Sequence, residues 1–213
     1  MPRPKKTSYH HGHLREALLT AALELLRERG PAAISLREVA RRAGVSHAAP
    51  AHHFGDKAGL LTALATEGFV RFAESQRAGA ERGGDDPVVR FAWTGWAYVM
   101  FAVEHRAYFE LMFRPELLRQ DDPAFAHASR VAYDGLLEVV RAALGGDPAP
   151  DALALRATTA WALAHGLATL WLDGNLGTYA QQSDLDTLAR SVFGLPQRAS
   201  RNADPPTRKP RPR

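Results

Sequence analysis

Apolar residues recur along most of this chain at three- and four-residue spacing, the period of helices with one buried face. Leu14, Leu18, Ala21, Ala22, Leu25 and Leu26 share such a face, and Gly30 with Pro31 closes the segment. A second face follows in Leu36, Val39, Ala40 and Ala43. Its start carries Ser35 and, three residues on, Glu38, the spacing at which hydroxyl and carboxylate can each satisfy an orphan backbone N–H. Ile34 and Val39 are placed to close over that cap as a hydrophobic staple, and Gly44 ends the helix. Ser46 is the N-cap candidate of the next short helix, which turns at Gly55-Asp56, where Asp56 can cap a longer helix opening with Lys57. Two short capped helices about a glycine turn form a helix-turn-helix, an arrangement that lets its second helix enter a DNA major groove.

Leu60, Leu61, Leu64, Phe69 and Phe72 continue a long helix from Lys57 toward Ala80, and Gly83-Gly84-Asp85-Asp86-Pro87 is the first clear break after it. Large side chains then crowd two segments: Phe91, Trp93, Trp96, Tyr98, Met100 and Phe101, followed by Tyr108, Phe109, Met112 and Phe113. They are too many for one face, so these helices must be buried on several sides or line a cavity. Plain core packing is the simplest account of any one of them. Asp121-Asp122-Pro123 opens a helical stretch from Ala124 to Leu144, closed by Gly145-Gly146. A long helix from Asp151 to about Leu172, with Asp151 as its cap, is apolar nearly all round, and its small residues permit close helix approach, as at a dimer seam. Asp184 to Phe193 forms one more amphipathic helix. The pattern predicts an all-α chain of about nine helices: a basic arm over 1–9, a DNA-binding unit over 10–57, a connecting helix over 58–82, a helical domain over 83–196 and a basic tail over 197–213.

Charge sharpens the picture. Of the 27 Lys and Arg and 23 Asp and Glu, basic residues are in excess over 1–57 and again over 198–213, while the middle is acidic. That asymmetry is expected when one end faces phosphate. In the short recognition helix Pro50 removes a backbone N–H and biases Ala49 away from α geometry, so a tighter first turn is expected. Ala48 and Ala49 let the backbone approach the groove. His47 and His52 are the candidates for base edges; Ser46, His53 and Lys57 are the candidates for phosphate. His10, His11 and His13 lack a carboxylate or cysteine partner at ligand spacing, so no metal is expected. The chain has no cysteine, in keeping with a reducing cytoplasm, and shows neither an apolar signal core nor an uninterrupted membrane-length apolar run.

The run from Leu18 through Gly30, then Ile34-Ser35-Leu36, Val39-Ala40, Ala43-Gly44-Val45-Ser46, His53-Phe54 and Asp56-Lys57, resembles the DNA-binding domain of the tetracycline-repressor (TetR) family. Tyr9-His10-His11-Gly12, Ala48-Ala49-Pro50, and Trp161 with His165-Gly166 are similar to the branch with a C-terminal WHG domain. The resemblance implies a homodimer joined through the last two helices, a double-stranded palindromic operator, and a small-molecule effector that releases it. It tilts the aromatic segment toward an apolar or aromatic ligand, with Trp93, Trp96, Met100, Phe101, Tyr108, Phe109 and Phe113 as candidate contacts. His165 joins them, although a histidine on an apolar helix is more often a neutral, hydrogen-bonded core residue than a ligand contact. Where most members carry a tyrosine two residues before the His-Phe pair, this chain has Ala51, so one phosphate-contacting hydroxyl is missing. No glycine-rich phosphate loop, nucleophile elbow or HExxH motif points to an enzyme, and no cofactor is implied. The rival reading is a helical interaction module that dimerises but does not read DNA.

Overall fold

The computed structural model describes residues 9–177 and 184–197. Among the described residues it is all helical, without a strand. The basic arm up to Ser8 and the tail from residue 198 lie outside them. Nine α-helices follow in order among the described residues: α1 Tyr9–Arg29, α2 Leu36–Ala43, α3 Ala48–Phe54, α4 Lys57–Glu81, α5 Pro87–Glu104, α6 Arg106–Met112, α7 Pro123–Leu144, α8 Pro150–Leu172 and α9 Leu185–Val192. Short 3-10 turns, Pro31–Ala33 and Pro115–Leu117, precede α2 and α7.

Short polar side chains set most of the helix starts. Ser35 Oγ accepts the Glu38 N–H at 3.2 Å, Asp56 the Gly59 N–H at 2.9 Å, Asp122 those of Ala124 and Phe125 at 3.0 Å, and Asp184 that of Thr187 at 2.8 Å. Three expectations need correction. Glu38 does not complete the capping box, because its carboxylate is held by the Arg41 guanidinium at 2.6 and 3.0 Å, a charged pair stronger than one bond to a neutral amide. Ser46 is not the cap of α3. His47 occupies that place without a capping bond, and the Ser46 carbonyl accepts the Ala49 N–H at 3.0 Å. Pro50 has no N–H to give that carbonyl, so the helix begins with a tighter three-residue turn. Asp151 does not cap α8 either: Pro150, whose fixed φ suits the first helical position, puts the cap at Ala149 and Asp151 inside the first turn.

The N-terminal head closes on Leu18, Ala22, Leu25, Ile34 and Val39, joined by Phe54 of α3 and Leu60 of α4. Seven residues are too few for a stable isolated helix, and α3 is held by the burial of Pro50 and Phe54. Gly44 takes φ 68°, the left-handed conformation that lets the chain turn from α2 into α3. Beyond the head, α4 runs on as the shared wall of the body, burying Leu64, Phe69, Phe72 and Gln76 against α5, α6 and α7. A Cβ at Gly79 would fall 2.6 Å from the Ala97 Cβ and 2.8 Å from the Trp93 carbonyl, so glycine is required where α4 meets α5.

Helix α9 is fastened to α5 by a cation between two indoles. Trp96 Nε1 donates to Asp186 at 2.8 Å, Arg190 Nε donates to the same carboxylate at 2.8 Å, and Arg190 Nη1 donates to the Pro196 carbonyl at 3.0 Å. The guanidinium of Arg190, itself buried, lies 4.8 Å from the Trp93 ring centre, and Arg82 stands 4.8 Å from that of Trp96.

Candidate nucleic-acid interface and effector cavity

Helix α3 turns one face to solvent. Ser46, His47, Ala48, Ala51 and His52 are exposed, and residues 47, 48, 51 and 52 fall on a single stripe. Ala49 lies half-buried against the head core, so the small outward residues are Ala48 and Ala51. His53 is half-buried, its ring 5.4 Å from that of His52 and 6.1 Å from that of Phe54. Lys57 Nζ donates to the Ala32 carbonyl at 3.1 Å, which ties the start of α4 to the turn before α2. Arg42 joins α2 to Glu24 and Glu28 of α1 at 3.3 and 2.7 Å. Arg37 of α2 is exposed as well, a cation of the head that the sequence reading did not single out.

The body holds a cavity of about 380 Å³ that is partly open to solvent. Helix α4 contributes Phe69, Phe72 and Gln76, α5 contributes Tyr98, and α8 contributes Trp161. Met112, Phe113, Pro115 and Gln120 line it from α6 and the segment after it, and α7 adds Phe125, Ser129, Ala132, Tyr133 and Leu136. The rings stand edge to face: Phe69 with Phe125 at 5.6 Å and Phe72 with Tyr98 at 4.9 Å between centres.

Of the ligand candidates drawn from the sequence, Phe113 stands in this wall. His165 and Phe109 are directly behind it, with rings 4.8 and 5.3 Å from Phe113. Phe101 and Tyr108 are buried deeper in the core, the Arg71 guanidinium lying 5.7 Å from the Tyr108 ring. Trp93, Trp96 and Met100 are on the other side of α5, toward α9. The cavity residues Phe69, Phe72, Tyr98 and Met112 were legible as large apolar helix positions, but Gln76, Ser129 and Tyr133 carried no signal. Trp161 was legible as part of the apolar helix 151–172 and through family likeness, not as a cavity residue.

Tyr98 organises the inner wall. Trp161 Nε1 donates to its hydroxyl at 3.1 Å, and the hydroxyl lies 2.8 Å from His165 Nδ1. Every hydrogen is used when Tyr98 donates to Nδ1, which leaves the His165 proton on Nε2. Burial pushes the His165 imidazole below the ordinary histidine value and the Tyr98 phenol well above the ordinary tyrosine value, so both are neutral.

Cavity and head are bridged by one side chain. Arg119, next to Gln120 of the cavity wall, places Nη2 2.9 Å from the Asp56 carboxylate, and its backbone N–H donates to Thr62 Oγ1 at 2.9 Å. The Gly59 N–H and the Arg119 guanidinium hold Asp56 below the usual carboxylate range. The guanidinium lies against the α3–α4 corner, where a Cβ on Gly55 would meet it at 3.5 Å. Among the described residues there is no cluster of three metal-ligating side chains, and no helix long and apolar enough to cross a membrane.

A helix-turn-helix head on a helical body is the architecture of a DNA-binding regulatory protein. Residues 18–64 match the model of bacterial regulatory proteins of the tetR family, and residues 91–193 match that of the tetracyclin repressor-like C-terminal domain. The chain belongs to the TetR family. Over 48 residues it is 48% identical to the HTH-type transcriptional repressor Rv3405c of Mycobacterium tuberculosis, a match covering 22% of this chain and 26% of that protein. The chain thus spans about a quarter of the length of that curated relative. A solved structure of a protein of unknown function from Rhodococcus sp. RHA1 is 35% identical, with a TM-score of 0.72 over 90% of this chain and 100% of that one. The TetR family transcriptional regulator PfmR of Thermus thermophilus, 17% identical, shares the fold with a TM-score of 0.62 over 83% of this chain and 94% of its own.

Proposed function

We propose that this protein is a cytoplasmic transcriptional repressor that binds a palindromic operator as a homodimer and leaves it when an apolar or aromatic small molecule fills the body cavity. The observation that carries the reading is the segment around residues 115–120. It walls the cavity through Pro115 and Gln120 and, through Arg119, grips the corner from which α3 emerges. A ligand shifts an equilibrium only by its different affinity for two states, and this segment is where a filled cavity alters the footing of the head. The outward stripe His47, Ala48, Ala51 and His52 is narrow enough for a major groove and displays imidazoles for base edges. Ser46, His53 and Lys57 lie toward its margins for phosphate.

The seam for a second copy is α8 with α9. Leu155, Leu163 and Leu170 are 67%, 50% and 44% exposed, and Val192 of α9 adds to the apolar surface. Ala162 and Gly166 lie on the same stretch of α8, which suits close packing of helices across a two-fold axis. Two heads so joined would read half-sites about 34–36 Å apart.

A gel-shift titration on the intergenic DNA beside the protein's own gene, at two salt concentrations, tests this. A retarded dimer complex that weakens steeply with salt is expected. His52→Ala should change base preference, whereas Lys57→Ala should weaken all sequences alike and flatten the salt slope. A dimer that ignores every duplex at low salt would leave the interaction-module reading in its place, and a monomer that does so would overturn both.

A further inference from the structure

One buried polar group of the cavity has no counterpart. Gln76 is 7% exposed and stands on α4 between the main cavity and a small void of about 20 Å³ behind it. Its amide oxygen has no hydrogen-bond partner. Of the other polar groups in the lining, the Tyr98 hydroxyl is engaged with Trp161 and His165, Ser129 Oγ with the Ala126 carbonyl at 3.2 Å and Gln120 Nε2 with the Pro115 carbonyl at 3.5 Å, while Tyr133 is an exposed residue. A buried acceptor that gave up water on folding and gained nothing in return is an unmet cost. The terminal amide torsion of glutamine is broad, so the oxygen swings toward the cavity without a change of backbone.

The rest of the wall fixes what kind of molecule meets it. Phe69, Phe72, Phe113, Phe125 and Trp161 present rings, and among the described residues no Asp, Glu, Lys, Arg or His lines the cavity. An ionised ligand would therefore enter without a counter-charge, the least favourable way to desolvate an ion. A volume of about 380 Å³ lies at the lower end of small-molecule sites, which suits a compact ring system.

We infer that Gln76 is the specificity-determining polar group of this cavity, and that its ligand is an uncharged, compact aromatic compound donating one N–H or O–H to the Gln76 amide oxygen. This rests on the reading of the cavity as the effector site. Ring walls discriminate weakly between shapes, but a site built to pair one donor rejects the analogue that lacks it.

Calorimetric titration of the full chain at neutral pH with 2-naphthol, naphthalene and 2-naphthoate, paired with melting-temperature shifts, tests the assignment. A purely apolar cavity would prefer naphthalene, because the naphthol hydroxyl must be desolvated. The expected result is 2-naphthol about tenfold tighter than naphthalene, with 2-naphthoate the weakest. In Gln76→Leu the naphthol preference should vanish or reverse. Equal or weaker binding of 2-naphthol by the wild type, tightest binding of 2-naphthoate, absence of binding by all three, or a naphthol preference that survives in folded Gln76→Leu would each overturn it. The wild-type comparison stands if Gln76→Leu fails to fold, and Gln76→Met is the second variant. These titrations contain no DNA, so a failure of operator binding appears in the gel shift alone and leaves them intact.

Discussion

Helix α5 carries two aromatic faces that look alike in sequence and behave differently in the fold. On one, Trp93 and Trp96 are fixed by Arg82, Arg190 and Asp186, so the rings act as a fastening for α9. On the other, Tyr98 meets Phe72 and then opens on the cavity, whose wall is mostly aromatic rings. The difference lies in the partners. Cations and a carboxylate saturate the first face, whereas the second borders a cavity in which the Gln76 amide oxygen of α4 has no hydrogen-bond partner. Aromatic density alone therefore separates neither a latch from a pocket nor a structural residue from a ligand contact.

Arg190→Ala should have the largest effect on stability. Removing one partner of a buried ion pair strands the other, a loss of about 3 kcal/mol in urea unfolding, with ligand affinity at the cavity unchanged. A comparable loss of naphthol affinity in that variant would erase the distinction between the faces. The cavity side should show itself in pH dependence. His165 has a depressed folded-state pKa from burial, so its contribution to stability is present above the unfolded value of about 6.5. That contribution is lost as pH falls through the folded value. His105, depressed by burial too, acts in the same direction. Thermal melts from pH 7.5 to 5 should thus fall more steeply for the wild type than for His165→Asn; parallel curves would mean that the imidazole is not held neutral. Arg119→Ala should alter stability least, since its pair with Asp56 is exposed. Its signature lies elsewhere: ligand binding persists while ligand-induced release from DNA is reduced. Unimpaired release would move the coupling to another contact.

Much of the fold was legible because its signals are local. The caps at Ser35, Asp56, Asp122 and Asp184 and the left-handed Gly44 each depend on residues within four positions. The errors were local as well: Pro50 and Pro150 shifted two helix starts, and Arg41 diverted the Glu38 carboxylate. The cavity was not legible, since periodicity indicates which side of a helix is buried and not what it is buried against. Tyr98 and Trp161 are 63 positions apart, and Arg119 and Thr62 are 57. Gln76 has the spacing of a core residue and the chemistry of a surface one, a conflict that becomes informative only once its surroundings are known.

The length of α4 has a geometric consequence. Its 25 residues make a rod of about 37 Å, with the DNA head at one end and Phe69, Phe72 and Gln76 along its middle. A tilt of about 5° pivoting at the far end carries Lys57 sideways by about 3 Å, by the same rise per residue. For a two-fold pair moving in opposite senses the spacing of the heads changes by about twice that, a sizeable misfit against one turn of duplex. On the proposed reading, a shift of about 1–2 Å beside the rings of the body would reach the groove as about 3 Å, and the stiffness of a single uninterrupted helix would set that gain.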